Sequence, residues 1–321
     1  MHCSLFIPDF FSSESVSSAN RLAAAETLIA RGRRRQKTTA HEAWLFERFG
    51  ARKQRDWPVA PYTLLADGGM PEGHFWMRAD PVHLSVGVGS LTLADAALEI
   101  SRSEAEAFTA TLNRHFSGAL AFHPLRPQRW YLRLPETPDV DTTPPSAARG
   151  AAIGSALPSG ADAMRFRALM NEVQMLLHEH PVNTEREARG TPAVNSVWFW
   201  GGGTLATPEA RPFSIVLAED ALARGLARSA GVAERPLPAG AEAMLSELPT
   251  EGRTLAVLGS PPSAALERDW FEPLLAALEE GRIGMLSLTL GGGNSLLETE
   301  TVRSDLRCFW RTRKPLRSYL A

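Results

Sequence analysis

Polar residues whose types and spacing indicate chemistry are concentrated between residues 178 and 203. This stretch combines a Trp-Phe-Trp run and three glycines with two asparagines and two arginines: Asn183, Arg186, Arg189 and Asn195. Guanidinium groups match phosphate or carboxylate oxygens with paired hydrogen bonds, and asparagine amides can hold sugar-acid hydroxyls. The pattern therefore predicts a segment that binds a small anion.

A structural interpretation of the same residues stays open. Arg186 is flanked by Glu185 and Glu187, and an exposed ion pair of that kind stabilises a fold by only about 0–1 kcal/mol. His178 and His180 lie two residues apart beside an expected helix end, where side chains diverge. We therefore expect the two histidines to interact as charges with the helix terminus rather than to share a metal.

The sequence gives little support for a two-metal site or a serine nucleophile. A two-metal site needs carboxylates and imidazoles around ions about 3.5–4 Å apart, yet none of the eight histidines follows residue 180. No G-x-S-x-G nucleophile motif occurs. Residues 291–295, GGGNS, could cradle a phosphate, but they fit neither dinucleotide nor P-loop spacing, and a flexible turn is the simpler interpretation. We therefore expect no bound metal and no cofactor.

Two elements must hold the anion-binding stretch. Apolar residues at three- to four-residue spacing from 166 to 177 predict a helix, which must end near His180 because a residue before proline leaves the helical region. Residues 194–200 predict a strand, and Asn183 is expected to cap a short turn between the two. Upstream, strands at 74–84 and 129–134 and a helix opened by the capping box Ser101-x-x-Glu104 complete a mixed α+β region.

Both ends of the chain alternate between strands and helices. We predict strands at 3–7, 254–258 and 283–290, and helices at 19–29, 219–230, 264–280 and 301–311. Such alternation is typical of a parallel sheet with helices on its faces. The fold class is therefore α/β: residues 1–70 and 205–321 form a parallel-sheet core, and residues 71–204 form an inserted α+β lobe.

Composition bounds the function. With 321 residues, 44% of them hydrophobic, the chain is globular, and its net charge of −2 argues against nucleic-acid binding through bulk positive charge. The basic run at 31–35 is expected to be a solvated helix end. No stretch approaches the 18 apolar residues of a membrane span, and the N-terminus lacks the features of a signal peptide. Because two cysteines cannot form a disulfide framework, we expect a reducing, cytoplasmic compartment.

Three segments resemble the insertion domain of the archaeal-type, cofactor-independent phosphoglycerate mutases, in the alkaline-phosphatase-like superfamily. They are PEGHFWMRAD at 71–80, SRSEAEAFTATLN at 101–113 and HPVNTEREARGTPAVNSVWFWGGG at 180–203. The resemblance implies an alkaline-phosphatase-like core, and it implies substrate-facing positions for four residues: Arg78, Asn183, Arg186 and Asn195. The whole chain also resembles bacterial regulatory proteins of the RpfE type.

The sequence departs from that family at the positions of its catalytic groups. Active members carry an Asp-Gly motif on the first strand, a serine nucleophile soon after it, and Asp and His ligands for two metals in the C-terminal half. Here the first strand continues as Ile7-Pro8-Asp9-Phe10, and the late strands continue as LGSP at 258–261 and LTLG at 288–291. The resemblance therefore implies the fold and a retained anion pocket, without the family's catalytic residues.

Three functional hypotheses follow. The first is a non-catalytic regulator or sensor that binds a phosphorylated small molecule or a protein partner, and neither nucleic acid nor membrane. The alternative is a phosphoglycerate mutase or related phosphoryl-transfer or phosphatase enzyme that acts on a small sugar acid with a rearranged site. In the third, the insertion is an interaction surface that binds no ligand.

Overall fold

The computed structural model describes residues 1–11, 21–86, 91–94, 98–148, 153–248, 251–259 and 263–319. The chain divides into two compact units. Met1–Ala51 and Pro208–Ala321 form the first, here named the α/β unit, and Arg52–Thr207 form the second, here named the inserted unit. The inserted unit thus begins after residue 51, whereas the sequence analysis placed the boundary after residue 70. No helix in the described ranges is both long enough and apolar enough to cross a membrane.

The described residues contain these strands: β1 His2–Ile7, β2 Arg33–Thr38, β3 Phe75–Val82, β4 Leu84–Val86, β5 Leu91–Leu93, β6 Ala121–Arg126, β7 Arg129–Leu134, β8 Ser196–Gly203, β9 Ile215–Ala218, β10 Ala233–Arg235, β11 Arg253–Val257, β12 Met285–Gly292 and β13 Ser295–Val302.

They contain these helices: α1 Ala23–Arg31, α2 His41–Arg48, α3 Val59–Ala66, α4 Arg102–His115, α5 Pro145–Ala148, α6 Ala163–His178, α7 Pro181–Ala188, α8 Ala221–Ser229, α9 Ala241–Glu247, α10 Ser263–Leu266 and α11 Glu272–Glu280. A π-helical turn, Glu267–Phe271, joins α10 to α11, and short 3-10 helices cover Ile153–Ser155, Arg303–Arg307 and Leu316–Tyr319.

The α/β unit is built on a seven-stranded sheet in the order β10-β9-β11-β1-β12-β13-β2. The first five of these strands are parallel, and β13 and β2 add antiparallel pairs at one edge. Leu5 and Ile7 of β1 pack in one apolar cluster with Leu28 of α1 and Leu274 of α11. Phe6 faces the other side of the sheet, where its ring lies 4.5 Å from that of Trp44 in α2. The prediction of an α/β core with a mainly parallel sheet is confirmed.

The predicted helix at residues 301–311 is wrong. Residues up to Val302 belong to strand β13, which pairs with β12 on one side and β2 on the other, and a 3-10 helix follows at Arg303–Arg307. The β-branched residues Thr299 and Thr301 fit a pleated strand better than a helix. Residues 291–295 form the tip of the β12–β13 hairpin: Gly292 pairs with Ser295, and residues 293 and 294 make the turn, where Gly293 has a φ of 58°.

The basic run at residues 31–35 is not a solvated helix end. Helix α1 ends at Arg31, and the chain turns at Gly32 into β2, the edge strand beside β13. A Cβ atom at Gly32 would overlap the side chains of Thr299 and Thr301, so the turn needs a residue without a side chain. Arg33 then lies opposite Glu300 across the antiparallel ladder, and this opposite-charge pairing favours the strand.

The inserted unit is built on a four-stranded antiparallel sheet in the order β6-β7-β3-β8, and β4 and β5 form a separate two-stranded sheet. Helix α3 packs against β3 and β8, and Ala60 and Leu64 of α3 form a buried cluster with Trp76 and Tyr131. Helix α6 packs on β8. The predicted capping box at the start of α4 is confirmed, because Ser101 and Glu104 bond to each other's backbone N–H groups.

A substitution at Gly291 tests how tightly the chain after β1 packs on the end of β12. A Cβ atom there would overlap the backbone carbonyl of Pro8, which cannot swing aside like a side chain. We expect Gly291→Ala to lower the free energy of unfolding by about 2 kcal/mol, the usual effect of overpacking, measured as a shift in the urea midpoint. Gly259→Ala is the matched control, since a Cβ atom at Gly259 would contact nothing. Equal midpoints for the two variants would contradict this packing.

Candidate binding site

The centre of the inserted unit's sheet holds a buried arginine. Arg78 lies on β3 opposite Tyr131 of β7 and Trp200 of β8, so the three side chains share one face. The Arg78 Cζ atom is 5.5 Å from the centroid of the Tyr131 ring and 5.1 Å from that of Trp200. Both distances are typical of cation–π contacts. Two electron-rich rings therefore flank the guanidinium group.

A carboxylate on the same strand neutralises this arginine. Asp80 is two residues further along β3, and therefore on the same face, where it accepts hydrogen bonds from Arg78 Nε at 2.9 Å and Nη2 at 2.7 Å. Trp200 Nε1 donates to the other Asp80 oxygen at 2.7 Å. The Arg78 side chain is only 7% exposed. In the described part of the chain no acceptor is found for Arg78 Nη1.

Tyr131 links this pair to a second buried carboxylate. Its hydroxyl donates to Asp67 Oδ2 at 2.7 Å, and Arg129 donates to Asp67 through Nε at 2.8 Å and Nη2 at 2.6 Å. Burial alone would raise the pKa of Asp67, but the hydrogen bonds from Arg129 and Tyr131 outweigh it and lower the pKa. Burial raises the pKa of Tyr131, which therefore stays a hydroxyl donor.

Asn183 does not cap a turn as expected. It is the third residue of helix α7, whose N-cap is His180. The Asn183 Nδ2 atom donates to the carbonyls of Leu177 at 2.7 Å and Val194 at 2.8 Å, and Oδ1 accepts from Val194 N at 2.9 Å. These bonds join the end of α6 to the chain that enters β8. The buried Asn183 amide is thereby a structural clamp.

His180 is also not a charged group at a helix terminus. Burial lowers the pKa of its imidazole, and Nδ1 accepts from Val182 N at 3.3 Å at the start of α7. A neutral ring that accepts at Nδ1 carries its proton on Nε2. That nitrogen lies 3.0 Å from Thr111 Oγ1, to which it donates. His180 is therefore a neutral cap that ties α7 to α4.

Arg186 is buried on helix α7 and is held by three acceptors. Its Nε atom donates to Pro192 O at 2.9 Å, and Nη1 donates to Glu99 O at 2.9 Å and Glu104 Oε1 at 3.2 Å. Arg189 donates to the same Glu104 oxygen at 2.8 Å. The open alternative of pairing with Glu185 or Glu187 is not what the structure shows. Arg186 joins α7, α4 and the loop before β8.

Asn195 extends the ladder between β3 and β8. Its Oδ1 atom accepts from Leu84 N at 2.7 Å, and its Nδ2 atom donates to Leu84 O at 2.9 Å. The amide thus copies the two hydrogen bonds that a paired strand residue would make. Both polar atoms of this side chain are therefore used in pairing with the backbone of Leu84.

The four residues expected to share a pocket do not converge. Arg78 faces α3 with Tyr131 and Trp200, whereas their strand neighbours face the other side: Trp130 packs on Phe108 of α4, and Phe199 on Phe166 of α6. Asn183 and Arg186 belong to that second side through α4 and α6. Sequence reasoning missed Asp80, Asp67 and Tyr131. Asp80 could have been found, since period-two alternation puts it beside Arg78.

The two metals implied by the family resemblance do not fit the donors that the described residues supply. Among residues the structure describes, no group of three or more His, Cys, Asp or Glu side chains could hold one ion. The carboxyl end of β1 carries Phe10, which packs on Phe271, and Phe11, whose N–H donates to Gly291 O at 2.9 Å. Residues 12–20, where the serine nucleophile would be expected, lie outside the described residues, as do Ser260 and Pro261.

Comparison with known proteins agrees with the resemblance found in the sequence. A family model described as 2,3-bisphosphoglycerate-independent phosphoglycerate mutase matches residues 66–183, which lie within the inserted unit. A probable 2,3-bisphosphoglycerate-independent phosphoglycerate mutase of Geobacter sulfurreducens is 38% identical over 64 residues, which cover 20% of this chain and 16% of that protein. The inserted unit therefore contains a domain related to these mutases. The matched segment is a small part of the relative's length.

Two solved structures are similar over nearly the whole chain. The PH0037 protein from Pyrococcus horikoshii aligns with a TM-score of 0.56 at 13% identity, covering 99% of this chain and 91% of its own. A cofactor-independent phosphoglycerate mutase from Thermoplasma acidophilum aligns with a TM-score of 0.48 at 16% identity, covering 99% and 94%. The likeness to the Pyrococcus protein supports the α/β fold class and carries no statement about activity.

The contacts of Arg186 predict that it stabilises the fold. Replacing Arg186 by alanine leaves the carbonyls of Glu99 and Pro192 without this donor and removes one of the donors to Glu104, so we expect Arg186→Ala to lower the free energy of unfolding by about 3 kcal/mol. Arg189→Ala is the matched control: Arg189 binds the same carboxylate but is 58% exposed, and its loss should cost less than about 0.5 kcal/mol. Urea denaturation measures both. If Arg186→Ala leaves the urea midpoint unchanged, Arg186 does not have the structural role inferred here, and the ligand-binding interpretation is the one that remains.

Glu104 predicts a pH dependence of stability. Burial alone would raise its pKa, but the hydrogen bonds from Ser101 and the charge of Arg186 outweigh it and lower the pKa from 4.5 to about 2. A carboxylate with a depressed pKa stabilises the fold above its unfolded pKa, and the contribution is lost as pH falls toward the folded value. We expect Glu104→Gln to flatten the decline in urea midpoint between about pH 4.5 and pH 2. Parallel curves for parent and variant would contradict this.

Proposed function

We propose that the protein is a phosphoglycerate-mutase-like regulator or sensor that binds a phosphorylated small molecule and does not catalyse phosphoryl transfer. The observation that carries the binding part is the geometry of Arg78. Asp80 fixes the guanidinium through Nε and Nη2, the two aromatic rings hold its plane, and Nη1 keeps a donor for an incoming oxygen. A preorganised guanidinium loses little entropy when it binds an anion.

The neighbouring groups support an anion rather than a cation at this position. The carboxylates of Asp80 and Asp67 are already engaged by Arg78, Arg129 and Trp200 Nε1, so their negative charge is compensated. In this proposal Arg78 alone keeps the substrate-facing role that the family resemblance gave to four residues. Asn183, Arg186 and Asn195 hold the unit together.

The non-catalytic part of the proposal rests on the carboxyl end of β1. In open α/β sheets, ligands bind in the crevice beyond the carboxyl ends of the strands. Here Phe10 and Phe11 lie there, and the backbone of Pro8 presses on Gly291 of β12. Aromatic rings offer no ligand for a divalent metal, and Asp9, the one carboxylate among residues 8–11, is too few for a two-metal site. This arrangement supports binding without the family's metal-assisted step.

The test uses 3-phosphoglycerate, chosen because the inserted unit matches a phosphoglycerate mutase family. We expect it to raise the melting temperature of the parent protein, since a ligand at 100 times its Kd adds about 2.7 kcal/mol of stability. Arg78→Gln should lose most of that shift. Arg186→Ala is the matched control, because it removes another buried arginine of the same unit and should keep the shift.

An activity assay distinguishes the proposed non-catalytic sensor from the alternative, a phosphoryl-transfer or phosphatase enzyme. With Mn²⁺ added, we expect no conversion of 3-phosphoglycerate and no release of phosphate above the rate of a buffer blank. Turnover that a chelator abolishes would overturn the non-catalytic part. A melting temperature that 3-phosphoglycerate leaves unchanged in the parent would overturn the binding part.

A further inference from the structure

The α/β unit contains a cavity that the proposed function does not use. It measures about 610 Å³ and lies on the face of the seven-stranded sheet that carries Ser4, Ser287 and Glu300. These three residues form one row across β1, β12 and β13, and Arg33 of β2 continues it. A volume of this size is in the range of small-molecule sites, about 300–1,000 Å³.

The floor of the cavity is more polar than packing requires. On the opposite face of β1, Cys3 and Leu5 are buried in the apolar cluster beneath α1 and α11. His2 and Ser4 alternate with them and stay half-buried along the cavity. A sheet that needed both faces for its core would carry apolar residues at these positions as well. The polar floor is therefore available for a ligand.

The walls of the cavity carry several arginines. Arg48 is paired with Glu298 at 2.6 Å. Arg33 and Arg35 on β2, and Arg253 on β11, have no side-chain acceptor within the described ranges, although all three line the cavity. Glu300 is the carboxylate left on the floor. The cavity therefore has an excess of positive charge, in a chain whose net charge is −2.

His2, the first residue of β1, lies on the cavity floor opposite Arg253 of β11. Burial is the largest effect that lowers the pKa of its imidazole, and the charge of Arg253 adds to it, while Glu300 acts in the opposite direction. The neutral ring lies with Nε2 2.8 Å from Ser287 Oγ. Arg253 therefore places positive charge beside the β1 part of the floor.

We propose that this cavity is a second binding site, which takes a small molecule with at least two anionic groups, such as a bisphosphate. One group binds Arg33 and Arg35, and the other binds Arg253. The two walls are four strands apart, about 19 Å between strand axes, so a single phosphate cannot reach both. The hydroxyls of Ser4 and Ser287 and the carboxylate of Glu300 lie between them, where they fit the hydroxyl groups of the ligand.

The experiment is calorimetric titration with tripolyphosphate, a linear probe with several charged groups, in 150 mM salt. We expect one saturable site on the parent protein and at least tenfold weaker binding of inorganic phosphate. Arg253→Gln and the double variant Arg33→Gln/Arg35→Gln should each raise the Kd about tenfold, because each removes one end of the site. Glu300→Gln should lower the Kd about threefold, because it removes a negative charge.

Arg235→Gln is the matched control. Arg235 is an exposed arginine on β10, the edge strand at the other end of the same sheet, and its loss should leave the Kd unchanged. Arg78→Gln should also leave it unchanged, which separates this site from the one in the inserted unit. Circular dichroism verifies that each variant is folded.

Three results would overturn the proposal. The first is an equal effect of Arg235→Gln and Arg253→Gln, which indicates general electrostatic attraction. The second is loss of binding in Arg78→Gln, which assigns the probe to the inserted unit. The third is binding of an oligoglutamate peptide together with no binding of tripolyphosphate, which indicates a protein-binding surface instead.

Discussion

The buried charge of Arg78 constrains the inserted unit. Removing a guanidinium from water costs several kcal/mol, and the cost is offset only when the charge is paired and its hydrogen bonds are made. Asp80 supplies the pairing from the same strand, and this fixes which face of β3 both occupy. The carboxylate in turn needs Trp200 Nε1, which sets the register of β8. One internal charge thus constrains how β3 pairs with β8.

The same requirement explains why the predicted binding residues have structural roles. Arginine and asparagine are typical of ligand-binding sites because they donate several hydrogen bonds. For the same reason they occur at structural junctions, where backbone carbonyls would otherwise be unpaired. Asn183 and Arg186 satisfy the carbonyls of Val194 and Pro192 beside β8. The sequence shows which residues have such donors, but not where the acceptors are. Arg78 was identified through the family resemblance of residues 71–80, and Asp80 follows by alternation along the predicted strand.

The fold was predictable where one pattern dominated. Helix α8 and strands β11 and β12 have regular apolar spacing, and α4 has a capping box that sequence alone identifies. Prediction failed for β2, the polar strand at the edge of the sheet, and for β13, which lies between β2 and β12. On β2 no period-two burial marks the strand, since Arg33 to Arg35 are exposed. On β13 Leu297, Thr299 and Thr301 do alternate into the core, but two of the three are threonines, which give no apolar signal in the sequence. Pairing with each other stabilises the two strands, and that partnership links segments about 260 residues apart, beyond what a local pattern can show.

Charge at the edge of a sheet has a general purpose, because it prevents the strand from pairing with another molecule. Edge protection alone would explain the arginines on β2, on either face of the sheet. It does not account for Arg253, which is on β11 in the interior of the sheet, between β9 and β1. Nor does it account for the serines and Glu300 that lie between the two groups of arginines on one face. Edge protection needs charge along one strand, whereas the observed pattern crosses five strands, and recognition of an extended anion requires that arrangement.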